Sequence, residues 1–164
     1  MTLRRRALLL AVLPAAGCAT RAPRPAADDT APVAHWSGRL ALQVDETPQP
    51  QSFFAAFDLQ GGPVQGQLEL FSPLGSTLAR LEWAPGRAVL HDDHGKRAFN
   101  SVEDLLQNTT GAALPIAALF QWLDGQSTPV PGWEPDLRQL GEGQLIARRT
   151  QPLPTAMLRI VLDR

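Results

Sequence analysis

From residue 39 onward, apolar and polar side chains alternate in short runs separated by turn residues. In Arg39 to Val44, Leu40, Leu42 and Val44 share one face, while Arg39 and Gln43 share the other. In Ser52 to Gln60, Phe53, Ala55, Phe57 and Leu59 oppose Ser52, Asp58 and Gln60. Leu68 and Leu70 then alternate with Gln67 and Glu69, and Ala79, Leu81 and Trp83 with Arg80 and Glu82. A period of two marks a strand with one buried face. Gly62-Pro63, Pro73-Leu74-Gly75, Pro85-Gly86 and His94-Gly95 punctuate these runs as turns. Successive strands joined this tightly predict an antiparallel meander with a one-sided sheet.

The period then changes to that of a helix. Asn100 or Ser101 caps a short helix with Glu103 and Asp104 in its first turn, where carboxylates favour the dipole, and Gly111 closes it. Pro115 opens a second helix at its first position. Ile116, Leu119, Phe120 and Leu123 form an i, i+3, i+4, i+7 stripe, and Gly125 ends the helix. Such a stripe needs a partner, and the concave face of the sheet supplies one. Runs around Gln144 to Arg149 and Met157 to Leu162 complete the sheet. The expected fold is mainly β with a few helices: an antiparallel, incompletely closed (half) β-barrel with a helical plug.

The N-terminus has a different organisation. Met1 to Arg6 carries three consecutive arginines, and Ala7 to Pro14 is uncharged and mostly aliphatic. This is the plan of a signal peptide, residues 1–17, whose apolar run falls short of the ~20 residues a bilayer span needs. Ala15-Ala16-Gly17-Cys18 resembles a lipobox, in which the cysteine is acylated after cleavage. Cys18 is the single cysteine of the chain, and a free thiol in an exported protein would be a liability that acylation removes. Two or three acyl chains, at ~0.8 kcal/mol per buried methylene, anchor a protein stably. Residues 18–34 are rich in Pro and Ala without apolar periodicity and read as a lipidated flexible tether. Residues 35–164 then form one domain. With 44% hydrophobic residues and a net charge of -1, the chain can bury a core and has no basic excess for binding nucleic acid.

Several short stretches, in order, resemble the family of the outer-membrane lipoprotein receptor LolB. They are Trp36-Ser37-Gly38-Arg39-Leu40, Gly66 to Gly75, Gly111-Ala112-Ala113-Leu114-Pro115, Trp122-Leu123-Asp124-Gly125, and Pro152 to Asp163 around Leu153-Pro154. The resemblance implies a LolA/LolB-like half-barrel whose apolar cavity takes the acyl chains of lipoprotein cargo from a LolA-type periplasmic carrier and releases them into outer-membrane lipid. It implies a lipid-anchored protein on the periplasmic face of the outer membrane. Ala19, rather than aspartate, follows the cysteine, as suits outer-membrane sorting. Two departures stand out: the amphipathic helix usual before the first strand is mostly missing, and the segment between Trp133 and Gly143 looks shortened by a strand.

An acyl chain of ~16 carbons exposed to water forfeits ~12 kcal/mol of apolar burial, so a carrier of such chains needs a dry apolar surface and no hydrolytic chemistry. No P-loop, dinucleotide fingerprint or nucleophile elbow occurs in the chain. The expectation is a monomeric non-enzyme without cofactor or metal. Candidates to line the cavity are Leu40, Leu42, Phe53, Phe57, Leu68, Leu70, Leu81, Ile116, Leu119, Phe120 and Leu123.

Pro73, Leu74 and Gly75 form the candidate membrane-insertion loop. The flanking turn residues force Leu74 outward, unless it folds back onto the sheet. By resemblance, this loop carries a protruding hydrophobic residue used in releasing cargo. His91-Asp92-Asp93-His94 contains metal-type ligands but reads as a solvated hairpin turn. Trp36, Trp83, Trp122 and Trp133 either fill the core or line the cavity. Arg39 is a surface residue by its strand parity, or makes a polar contact near the cavity by resemblance. Arg80, Arg87 and Arg97 are candidates for a basic mouth that meets an acidic carrier. The alternative to a transfer factor is a structural or small-lipid-binding lipoprotein of the same fold.

Overall fold

The alternation becomes one nine-stranded antiparallel sheet in the order β6-β5-β4-β3-β2-β1-β9-β8-β7. The computed structural model describes residues 33–45 and 51–163. The signal peptide, Cys18 and most of the tether lie outside them. In chain order the strands are β1 (Ala34–Asp45), β2 (Gln51–Gly61), β3 (Gly66–Phe71), β4 (Thr77–Ala84), β5 (Arg87–Asp92) and β6 (Gly95–Phe99). Helices α1 (Val102–Thr110) and α2 (Ile116–Leu123) follow, then β7 (Trp133–Asp136), β8 (Gln144–Arg149) and β9 (Thr155–Leu162). Edge strands β6 and β7 do not pair with each other, so the barrel stays open.

Side chains of like parity meet across the ladders. Trp36, Leu59, Leu68, Leu81 and Leu90 stand in one cross-strand row, and Leu42 lies between Phe53 and Leu158. Leu42, Leu59, Leu81, Leu90 and Leu158 form a single core with the buried faces of both helices, and Trp36 and Leu68 pack against it. Trp122, Leu105, Leu145 and Val44 are the largest fully buried side chains. Each such burial is worth ~1.5–3 kcal/mol. Gly38, inside the Trp36-Ser37-Gly38-Arg39 stretch, is a close-approach position: a Cβ there would lie 2.1 Å from the Val161 carbonyl oxygen.

Local signals set the helix ends. Ser101, not Asn100, is the cap of α1, accepting a hydrogen bond from the Asp104 amide at 3.1 Å. Gly111 ends the helix in the left-handed conformation, φ 72°. Pro115 stands one position earlier than the first helical residue: α2 begins at Ile116, and the Pro115 carbonyl accepts from the Leu119 amide. A proline lacks only a donor, which that position does not use. The segment from Trp133 to Gly143 holds one short strand, β7, and a 3-10 turn at Leu140–Glu142.

The register places four pairs of strand termini at one end of the half-barrel. Val44 pairs with Gln51, Asp45 with Thr155, Phe71 with Thr77 and Asp92 with Gly95. This end, which includes the turns around Leu74, Asp93 and Leu153, is the rim. The Gly62–Gln65 turn and the Pro85-Gly86 turn lie at the opposite end.

Candidate functional site

Beneath the sheet and open toward the rim lies a cavity of about 720 Å³, within the ~300–1,000 Å³ range of ligand pockets. Half of its lining residues are leucines. Leu40, Leu42, Phe53, Leu68, Leu70, Leu81, Ile116 and Leu119 all line it, as their inward parity leads one to expect. Phe57, Phe120 and Leu123 do not. They are buried in the packed core instead. The Phe120 ring sits edge-on between Trp36, at 5.4 Å between centroids, and Trp83, at 6.3 Å. Phe57 lies across from Gly38 and Leu70, deeper along β2 than Phe53. Strand parity and helix period set which face a residue takes, but not how far from the rim it lies. One end of the concave face is filled by α2 and tryptophans, and the other is left as the cavity.

The four tryptophans belong to the core reading. None lines the cavity. The indole N–H groups of Trp83, Trp122 and Trp133 donate to the carbonyls of Gly62, Thr128 and Ala113, at 3.1, 2.9 and 3.2 Å. Buried indoles with satisfied donors are structural. Arg39 is exposed on the outer face.

Several lining residues escaped the sequence reading. Val44 shares the inward face of Leu40 and Leu42, and Leu90 and Leu158 line the cavity beside their ladder partners Leu81 and Leu42. Leu78 has the wrong parity, yet it lines the cavity. The β3–β4 register passes from Leu70↔Ala79 to Phe71↔Thr77, leaving Leu78 as the extra residue of a bulge. A bulge re-aims its side chain. Helix α1 adds Leu106, Asn108, Thr109 and Thr110, and Leu114 follows from the connection to α2.

The mouth also has a polar edge. Asp92 accepts from Arg97 Nη2 at 2.6 Å and from the His94 amide at 3.0 Å. Partial desolvation pushes the Asp92 carboxyl up, but these hydrogen bonds and the Arg97 charge outweigh it and hold the group below its ordinary range. Asp93 and His94 form an exposed, solvated turn, while His91 and Asp92, half-buried, are the last two residues of β5. No cluster of three or more His, Cys, Asp or Glu side chains suited to a metal occurs among the described residues. The basic triplet does not assemble. Arg97 is at the mouth, Arg80 is an outer-face residue paired with Glu69, and Arg87 lies at the far end.

Leu74 occupies the tip of the β3–β4 loop and is 94% exposed. It does not fold back. The loop is closed beneath it by Ser72 N–H to Ser76 O at 2.8 Å and Gly75 N–H to Ser72 O at 2.9 Å, and the Ser76 amide also donates to Ser72 Oγ at 3.2 Å. Gly75, at φ 82°, supplies the left-handed step.

Residues 34–157 match the profile described as outer membrane lipoprotein LolB. The chain belongs to the LolB family. It is similar to the outer-membrane lipoprotein LolB of Bordetella pertussis (strain Tohama I), with 37% identity over 121 residues, 73% of this chain and 59% of the relative. It is also similar to that of Chromobacterium violaceum, with 35% identity over 135 residues, 79% of this chain and 72% of the relative. Against LolB of Yersinia enterocolitica the identity is 33% over 132 residues. The chain spans about three fifths of the length of the Bordetella pertussis relative. These LolB relatives are named outer-membrane lipoproteins, and no helix among the described residues is long and apolar enough to cross a membrane.

Proposed function

We propose that the protein takes the acyl chains of lipoproteins from a LolA-type periplasmic carrier into its cavity and releases them into the outer membrane. The observation that carries this reading is the placement of a leucine-lined cavity and the exposed Leu74 at the same end of an open sheet. Affinity for the chain comes from apolar burial at ~0.8 kcal/mol per methylene, so cargo moves downhill from a weaker binder to a stronger one and then to the bilayer. Leu40, Leu42, Phe53, Leu68, Leu70, Leu81, Ile116 and Leu119 are the acyl-contacting residues in this reading. Pro73, Leu74 and Gly75 act at release. No bond is made or broken, so the protein is not an enzyme and needs no cofactor. Cys18 carries the lipid that holds the domain, as a monomer, at the periplasmic face.

The test is transfer. Carrier loaded with an acylated lipoprotein is mixed with this protein and then with liposomes. The expected result is movement of cargo onto the protein and then into the lipid. Cargo that stays on the carrier while the protein is folded overturns the transfer reading and leaves a structural or small-lipid-binding lipoprotein. Mass spectrometry of the membrane form checks Cys18, with acyl mass on the wild type and none on Cys18→Ser.

A further inference from the structure

Eight large hydrophobic residues are exposed among the described residues, and their distribution is uneven. Leu74 and Leu153 are at loop tips on the rim, 94% and 63% exposed. Phe53, Phe54, Leu78 and Met157 fall within the first four residues of β2, β4 and β9, which all start at the rim. Only Val33 and Val64 are at the opposite end.

The two loops share a local plan. Ser72-Pro73-Leu74-Gly75-Ser76-Thr77 and Gln151-Pro152-Leu153-Pro154-Thr155 each place a leucine after a proline, before a turn residue and a hydroxyl side chain, and neither contains a charge. Both are held from below. The β8–β9 loop is tied down by Arg149, a buried side chain whose Nε donates to the Pro152 carbonyl at 3.0 Å. It is also packed on Gly132, where a Cβ would lie 1.8 Å from the Gln151 carbonyl oxygen. Leu153 is therefore presented by a fixed loop.

We infer that the rim is a bilayer-facing surface with two insertion points, Leu74 and Leu153, so that the open mouth of the cavity is set against lipid. Separate leucine tips on uncharged loops suit a fluid bilayer, which closes around each one. A protein partner would need a contiguous surface. The family's outer-membrane address puts such a bilayer within reach. Lys96 and Arg148, both exposed, stand on the two flanks of the rim, where lipid phosphates would lie. The inference rests on the proposed role of the Leu74 loop and adds to it a second contact, which fixes orientation as well as attachment.

The experiment uses the full lipidated protein, purified from membranes and reconstituted into vesicles of phosphatidylethanolamine with a minority of phosphatidylglycerol. Single variants Leu74→Cys, Leu153→Cys and Val64→Cys are labelled with an environment-sensitive fluorophore, Cys18 being blocked by its acyl group. The expected result is a blue shift and quenching by lipid-borne quencher at 74 and 153, and neither at 64. Water-like emission at 153 overturns the inference, whatever is seen at 74. Equal quenching at all three positions overturns it too, since the rim would then have no preference. Leu153→Glu supplies the functional arm: acceptance of cargo from the carrier stays within about twofold, while release to vesicles slows about ten- to a hundredfold, the weight of one leucine side chain left out of lipid. Unimpaired release by the folded variant overturns the inference, and so does a loss of acceptance, whereas failure of the unmodified protein to accept cargo is the result that counts against the transfer reading.

Discussion

Replacing Leu74 by glutamate separates the two steps of the proposed transfer. The side chain is 94% exposed, and the hydrogen bonds closing the loop use only Ser72, Gly75 and Ser76. The substitution therefore removes no packed contact and leaves no polar group unpaired. Folding stability should change by no more than about 0.5 kcal/mol, as for an ordinary surface site. Inserted in lipid, the same leucine would be worth ~1.5–3 kcal/mol. At about 1.4 kcal/mol per tenfold, its loss slows release by about ten- to a hundredfold. The assay follows labelled cargo from the carrier to the protein and from the protein to liposomes, with circular dichroism and thermal melting as the control on fold. Acceptance should match wild type, and cargo should accumulate on the variant. Unimpaired delivery by a folded variant would refute the reasoning, and so would a loss at the acceptance step.

The cavity itself is tested by Ala79→Trp, which places an indole on its wall between Leu70 and Asp92. Cargo acceptance should fall at least about tenfold, while the stability loss measured by urea stays within the ~1–3 kcal/mol of overpacking. Leu145→Ala empties a fully buried position of β8 and should cost ~2–5 kcal/mol in a denaturant titration, without altering Leu74. Asp136 has its pKa lowered from 3.8 to about 2, chiefly by the hydrogen bonds of the Arg138 side chain and backbone. A depressed folded-state pKa contributes stability that is present above about pH 4 and lost as pH falls toward 2. Arg138→Gln should bring the Asp136 titration, followed by carboxyl NMR, back toward 3.8 and flatten that part of the acid profile.

Much of this was written locally. The alternation in Arg39–Val44 and Ser52–Gln60 settles which side chains of β1 and β2 face inward, because a strand has only two faces. Ser101 and Gly111 set the ends of α1 through one hydroxyl acceptor and one left-handed glycine. The stripe of α2 had to meet the sheet. Pro73 and Gly75 marked the tight turn, and the structure decided that Leu74 stands out of it rather than folding back onto the sheet. Strand β7 was less legible, because Trp133-Glu134-Pro135-Asp136 has no alternation and pairs only through its partner β8.

Tertiary structure alone decided which inward residues meet open space. Phe53 and Phe57 have the same parity on the same strand, yet one edges the cavity and the other is sealed in the core. The difference arises because α2 and the edge-on Trp36–Phe120–Trp83 cluster fill only one end of the concave face. Leu78 reaches the cavity through a bulge that exists only in the pairing of β3 with β4. The shared location of Leu74 and Leu153, 79 positions apart in the chain, depends on a strand order that brings β9 beside β1. Parity and turn chemistry are properties of neighbouring residues, and the sequence carries them. Depth along a sheet and the company of distant loops depend on long-range pairing, and they are fixed only when the open sheet packs on its helices.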